Sequence, residues 1–403
     1  MTNSTKTQKS LAVAFIFAAC LIMPFSWADI LASSTSDESE KYINKAIARQ
    51  LNKNPDELTD DDYQNVERLT LSDRSITDIS SLAKLPNLSR LMLNRTDVNN
   101  IDVLSNLSNL ESLGFSSTQI TNINPLANLE KLQTLMIESS TINDINALVN
   151  LSNLKRLHLQ TPAVSDISEL KNLNNLEWFE LKSSEVTDIT PLASLKNLKH
   201  MELSCQQVSN INALANLINI ETLNLKGTNV TNLEPLANLK KLQSLNLSTT
   251  NDNDLSALAS FTNLQTLDIS DSNLTDITPL ANLENLTTLN ISKTQVNDIS
   301  ALANLTNLRN LILSDTRITD IRALSKLTKL NNLYLSGTGI SDIFALANLT
   351  NLYTLYMSCT NVSDITPLMN LKRLDSLSIN NIMLTDEQVA ELKRALPNIR
   401  ISR

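Results

Sequence analysis

The chain has 403 residues, 42% hydrophobic and 19% charged, with a formal net charge of −9. It can build a core, but its surface has the wrong sign for non-specific binding of nucleic acid or anionic membrane. Four Gly and ten Pro exclude collagen-like and glycine-linker sequence, 3% aromatics are too few for a base-stacking platform, and two His and three Cys leave little material for a zinc site or a disulfide framework.

Residues 1–10 carry Lys6 and Lys9 and no acid, and residues 11–25 are apolar. Ser26-Trp27-Ala28 then puts small residues at −3 and −1 of a cut after Ala28. This three-part pattern reads as a secretory signal peptide over 1–28. A membrane anchor is the alternative, but the apolar stretch is shorter than the roughly 20 residues a bilayer needs, and Pro24 interrupts it. Lipidation at Cys20 is a second alternative, against which Leu21-Ile22 after the Cys is unusual. The expected location is therefore secreted, periplasmic or at the cell surface, with no stable membrane insertion.

Residues 29–38 read as a flexible leader. A helical N-terminal cap over 39–65 follows, with Tyr42, Ile43, Ala46, Ile47 and Leu51 on one helical face. Thr59 N-caps a second short helix, with Asp62 three residues on.

From Val66 one pattern returns every 22 residues, L-x-x-L-x-L-S-x-T-x-I-x-D-I-x-P/A-L-A-N-L-x-N, with its first position at Val66, Leu88, Leu110 and so on to Leu374. That gives 15 repeats over 66–381 with no insertion. Positions 4 and 6 alternate with polar residues, which predicts a strand with one buried face. Positions 11, 14, 17 and 20 are apolar at spacing three, which predicts a 3₁₀-like or extended return. Pro at position 16, as in Pro125 and Pro279, fits that return because it needs no donor. One unit cannot bury its own stripe; stacked units bury it and pair the strands in parallel. Thr or Ser at position 9 and Asp or Asn at position 13 read as turn chemistry. The chain closes with a C-terminal capping helix and tail over 382–403. Val389, Leu392 and Leu396 share its inner face, and Pro397 stops it.

This pattern resembles the bacterial internalin-type leucine-rich repeat family over residues 40–403. The resemblance implies an α/β repeat solenoid, a right-handed leucine-rich repeat superhelix with a concave parallel β-sheet and helical caps at both ends. It also implies a protein-binding role, often adhesion to host surfaces. The chain departs from the pattern in favouring Thr over Asn at position 9 and in showing no immunoglobulin-like domain or wall-anchoring motif after the repeats.

Positions 3, 5 and 7 of each strand point to the concave face. In repeats 5–7 they read Arg156, His158, Gln160; Trp178, Glu180, Lys182; and His200, Glu202, Ser204. Both His of the chain stand there, and Trp and Arg are frequent binding hot spots, so this is the first candidate protein-binding patch. A metal or acid/base site on its His and Glu residues is disfavoured, because an open sheet excludes no water. A second patch is the position-5 stripe Ile312, Tyr334 and Tyr356. Cys205 and Cys359 share position 8 seven repeats apart, about 34 Å by strand spacing, and should be free thiols. Asp252 stands at an inward position, where a local bulge should carry it to solvent.

No nucleophile elbow, phosphate loop, HExxH or CxxC occurs, so no catalysis, cofactor or metal is expected. The leading reading is an exported, monomeric protein-binding module of host-interaction, virulence-related type. The alternative is a periplasmic scaffold or inhibitor that binds a self protein.

Overall fold

A computed structural model describes residues 27–250 and 254–403. The expected signal peptide up to residue 26, Cys20 and the bulge at Asp252 lie outside the described residues. The chain divides into two compact units, one ending at Ile142 and the other running from Asn143 to Arg403.

The first unit opens with helix α1 (Trp27–Leu51). It starts well before Ser39, so residues 29–38 are helical rather than a leader. Ile43, Ile47 and Ala48 are buried on its inner face. Ser39 is fully buried, and its hydroxyl accepts hydrogen bonds from the Thr77 and Asp78 backbone N–H groups at 3.0 and 3.2 Å. This ties the helix to the first repeat. Helix α2 (Asp60–Gln64) follows. Asp62 accepts from the Thr59 N–H at 2.9 Å and pairs with Lys53 at 2.6 Å. The Lys53 ammonium and the Thr59 N–H hold its carboxyl down at about 2. Strands β1 (Arg68–Leu71), β2 (Arg90–Asn94), β3 (Ser112–Ser116) and β4 (Thr134–Glu138) then pair in parallel, each shifted by one 22-residue repeat.

The second unit continues the pattern with β5 (Arg156–Gln160), β6 (Trp178–Lys182), β7 (His200–Ser204) and β8 (Thr222–Asn224). Strands β9 (Ser244–Asn246), β10 (Thr266–Asp268), β11 (Thr288–Asn290), β12 (Asn310–Ile312), β13 (Asn332–Tyr334), β14 (Thr354–Tyr356) and β15 (Ser376–Ser378) follow. Helix α3 (Asp386–Ala395) and β16 (Arg400–Ser402) complete it. The α3 N-cap Thr385 accepts from the Gln388 N–H, and Val389 and Leu392 are buried beneath the helix. The expected leucine-rich repeat solenoid with parallel strands is what both units show.

The spacing of three on the return has a direct cause. In the first repeat the Leu82 N–H donates to the Ile79 carbonyl, Leu85 to Leu82 and Leu88 to Leu85, at 2.9–3.2 Å. Each bond spans three residues, so side chains at positions 14, 17 and 20 line up inward. Fourteen short 3₁₀ helices, from Ser80–Lys84 to Thr366–Leu368, repeat this among the described residues. The position-13 Asp or Asn opens each one by accepting the N–H two residues on, as Asp276 does from Thr278 at 2.8 Å. Asn at position 22 ties neighbouring returns. Asn197 Nδ2, for example, donates to the Asn174 carbonyl one repeat back. The inward Leu, Ile and Val side chains are almost completely buried, and truncating one such Leu to Ala costs about 2–5 kcal/mol.

Two turn geometries leave the strands. In repeats 2, 3 and 8–15 the position-8 residue is left-handed: Arg95, Ser117, Gly227, Thr249, Asp271, Lys293, Asp315, Gly337, Cys359 and Asn381 have φ between 53° and 71°. Only Gly227 and Gly337 hold that shape without a Cβ penalty. There the position-9 Thr turns inward, and in repeats 8–14 its hydroxyl, or that of Ser272, donates to the position-6 carbonyl, as Thr294 does to Ile291 at 2.8 Å. In repeats 4–7 position 8 is not left-handed. The inward residue is then position 8 itself: Ser139, Thr161, Ser183 and Cys205 are buried, while Ser140, Pro162, Ser184 and Gln206 at position 9 are exposed. The inward place read at position 9 therefore moves one residue earlier in these four repeats, where it is filled by three hydroxyls and the Cys205 thiol.

Candidate functional site

Strands β5, β6 and β7 carry the first candidate patch. Their burial alternates along five residues, with Leu157, Leu159, Phe179, Leu181, Met201 and Leu203 inward and positions 3, 5 and 7 outward. The register sets Arg156 beside Trp178 and Trp178 beside His200; His158 beside Glu180 and Glu180 beside Glu202; and Gln160 beside Lys182 and Lys182 beside Ser204. All nine side chains are thus on one face, spanning about 10 Å across two strand spacings.

The patch is internally organised. His158 Nδ1 lies 2.7 Å from Glu180 Oε2. The His158 ring also stacks on Trp178, with centroids 6.4 Å apart and planes inclined by 22°. Both contacts come from β6 and hold the imidazole beside a flat indole, and immobilised aromatic surface loses little entropy on binding. Arg156 and Lys182 are exposed at the two margins, and Glu202 continues the carboxylate column. The surface offers an aromatic centre between two cations and two carboxylates, which suits recognition of a mixed polar and aromatic protein surface.

The second patch is also brought together. Ile312 is register-paired with Tyr334, and Tyr334 with Tyr356. The two tyrosine rings meet edge to face at 5.2 Å and 83°. Tyr356 is 39% exposed, while Ile312 and Tyr334 are half-buried. Among the described residues no group of three or more His, Cys, Asp or Glu side chains converges as a metal site, and no helix is long and apolar enough to cross a membrane.

A family model described as a leucine-rich repeat region matches residues 65–296 and 203–400. The chain belongs to the leucine-rich repeat family. Among solved structures, this leucine-rich repeat chain is similar to internalin InlF of Listeria monocytogenes, with 29% identity, 84% of this chain and 96% of that one covered, and a TM-score of 0.69. A leucine-rich repeat protein of Leptospira interrogans matches at 20% identity over 85% of this chain and 97% of that one, with a TM-score of 0.78. The functional domain of InlJ from Listeria monocytogenes, which includes a cysteine ladder, matches at 22% identity over 88% of this chain and 77% of that one, with a TM-score of 0.72. No curated protein matches the sequence significantly. The repeat pattern and these similarities make the chain internalin-like, on a fold that serves protein interaction. Its described cysteines form no ladder: Cys205 and Cys359 are free thiols.

Sequence reasoning missed the change of turn geometry next to the first patch, although Pro162 and Gln206 at position 9 already signalled it. It also missed Phe344, 75% exposed at a position held by small polar residues in most repeats.

Proposed function

We propose that the chain is an exported, non-catalytic protein-binding module that contacts its partner through the concave patch on β5, β6 and β7. The observation that carries this reading is the fixed arrangement of Trp178, His158 and Glu180, a half-exposed aromatic and charged cluster on a solenoid face otherwise lined mostly by Ser, Thr and Asn. The signal-peptide pattern over 1–28 supports export, and the similarity to an internalin supports a host-interaction role.

Pull-down with the wild-type chain from host-cell lysate and from the producing cell tests the reading. A Trp178→Ala/Glu180→Lys double variant should recover at least about tenfold less partner while keeping its thermal midpoint, because both side chains lie on the surface. Equal recovery by the two proteins would remove the patch from the interface. Protein found only in the periplasm would argue against host contact.

A further inference from the structure

The concave face changes chemistry between repeats 8–11 and repeats 12–14. In β8 to β11 the position-5 residue is Asn or Asp, and its side chain is committed to its own backbone. Asn224, Asn246, Asp268 and Asn290 each accept the N–H two residues on, at 2.8–3.1 Å. This bond secures the chain as it leaves the short strand. In β12 to β14 the same column holds Ile312, Tyr334 and Tyr356, which have no oxygen near the backbone to play that role. Three consecutive repeats give up a local stabilising bond to place one aliphatic and two aromatic side chains on the open face. The change sets in at one repeat boundary and persists over three consecutive repeats, which singles the stripe out from the four repeats before it as a candidate functional surface.

The surroundings define the ligand. In these three repeats the flanking positions 3 and 7 hold only Asn, Ser and Thr, so the stripe runs between two fences of amides and hydroxyls without an ionised group. Asn332 Nδ2 donates to Asn310 Oδ1 at 2.5 Å, and Asn310 Nδ2 reaches Thr288 Oγ1 at 3.3 Å. Each amide has further donor and acceptor capacity beyond those bonds. Arg400, which lines the same cavity as Tyr356, is already paired with Asp375, so a charged peptide laid here would lose water from its charges without gaining a free counter-charge. The patch is also small. Two strand spacings by one short strand length give about 10 by 13 Å. It is bounded on one side by the self-satisfied repeats and on the other by Asn380, which donates to Ser378 and Ser402 at 2.9 and 3.3 Å.

We propose that the Ile312–Tyr334–Tyr356 stripe is a binding site for a neutral carbohydrate. C–H faces of the sugar rings pack on the tyrosines, and sugar hydroxyls bond to the flanking amides and hydroxyls. This site is separate from the patch on β5, β6 and β7 and does not depend on it.

The test is a glycan array probed with the full chain, followed by calorimetric titration with soluble neutral glucans, mannans and galactans, and with heparin as an acidic control. A neutral glycan should bind saturably and heparin should not. Tyr334→Asn/Tyr356→Asn installs the residue that repeats 8, 9 and 11 already carry in this column, so it should keep the thermal midpoint and weaken glycan binding at least about tenfold. Tyr356→Phe keeps the ring and should stay within about threefold. Trp178→Ala/Glu180→Lys should bind the glycan as wild type does, so loss of the protein-binding reading would leave this one standing. Absence of any neutral glycan ligand, tighter binding of heparin, or unchanged binding by the double Asn variant would overturn the proposal. So would a protein ligand lost specifically with that variant.

Discussion

Cys205 and Cys359 occupy the same position of repeats seven turns apart and have opposite environments. Cys205 is fully buried in a turn of ordinary hand, whereas Cys359 is exposed in a left-handed turn at φ 57°. Burial pushes the Cys205 thiol up to about 11, which removes its thiolate at neutral pH. In the chain lacking residues 1–28, a thiol reagent at pH 8 should therefore modify Cys359 at least about tenfold faster than Cys205. Cys359→Ser should abolish the fast phase. Two fast thiols in the native chain would contradict the turn assignment.

The same burial links stability to alkaline pH. The unfolded chain ionises this thiol near its ordinary value of 9.0, while the folded chain holds the proton to about 11. The stabilising contribution is complete below the unfolded value and is lost as pH rises through this window. It amounts to about 3 kcal/mol. Cys205→Ser places at this site the residue already buried at Ser139 and Ser183. Urea unfolding between pH 8 and 11 should show a smaller alkaline loss for the variant than for wild type. Parallel pH profiles would refute the link.

The turn switch makes position 9 matter in some repeats and not in others. Thr294 is buried and donates to the Ile291 carbonyl at 2.8 Å, so Thr294→Val should lower unfolding stability by about 1 kcal/mol. Gln206 holds the same position in its repeat but is exposed, so Gln206→Val should change stability by no more than about 0.5 kcal/mol. Denaturant midpoints of the two variants check the contrast. Equal losses would mean that a single turn geometry serves both repeats.

The period of 22 made much of this legible. It named the inward columns, the parallel register and the residues that become neighbours, which is why Trp178, His158 and Glu180 could be placed in one patch before any coordinates. The N-cap Thr59 was legible for a different reason: capping is local in sequence. The helix through residues 29–38 was not, because its Ser and Thr residues carry no apolar period.

What the sequence determined by itself is everything that depends on counting: the repeat, the buried stripe, the strand partners and the membership of each surface column. The tertiary structure alone decided which of two adjacent hydroxyls turns inward, because the hand of one residue at position 8 shifts the whole turn by one place, and Ser and Thr stand there with either hand, as Ser117 and Thr249 do against Ser139 and Thr161. It also decided which outward side chains are already occupied. Asn290 and Tyr334 share a column, yet one is spent on its own backbone and the other is presented to solvent, because that difference is set by side-chain reach in three dimensions and not by position in the repeat.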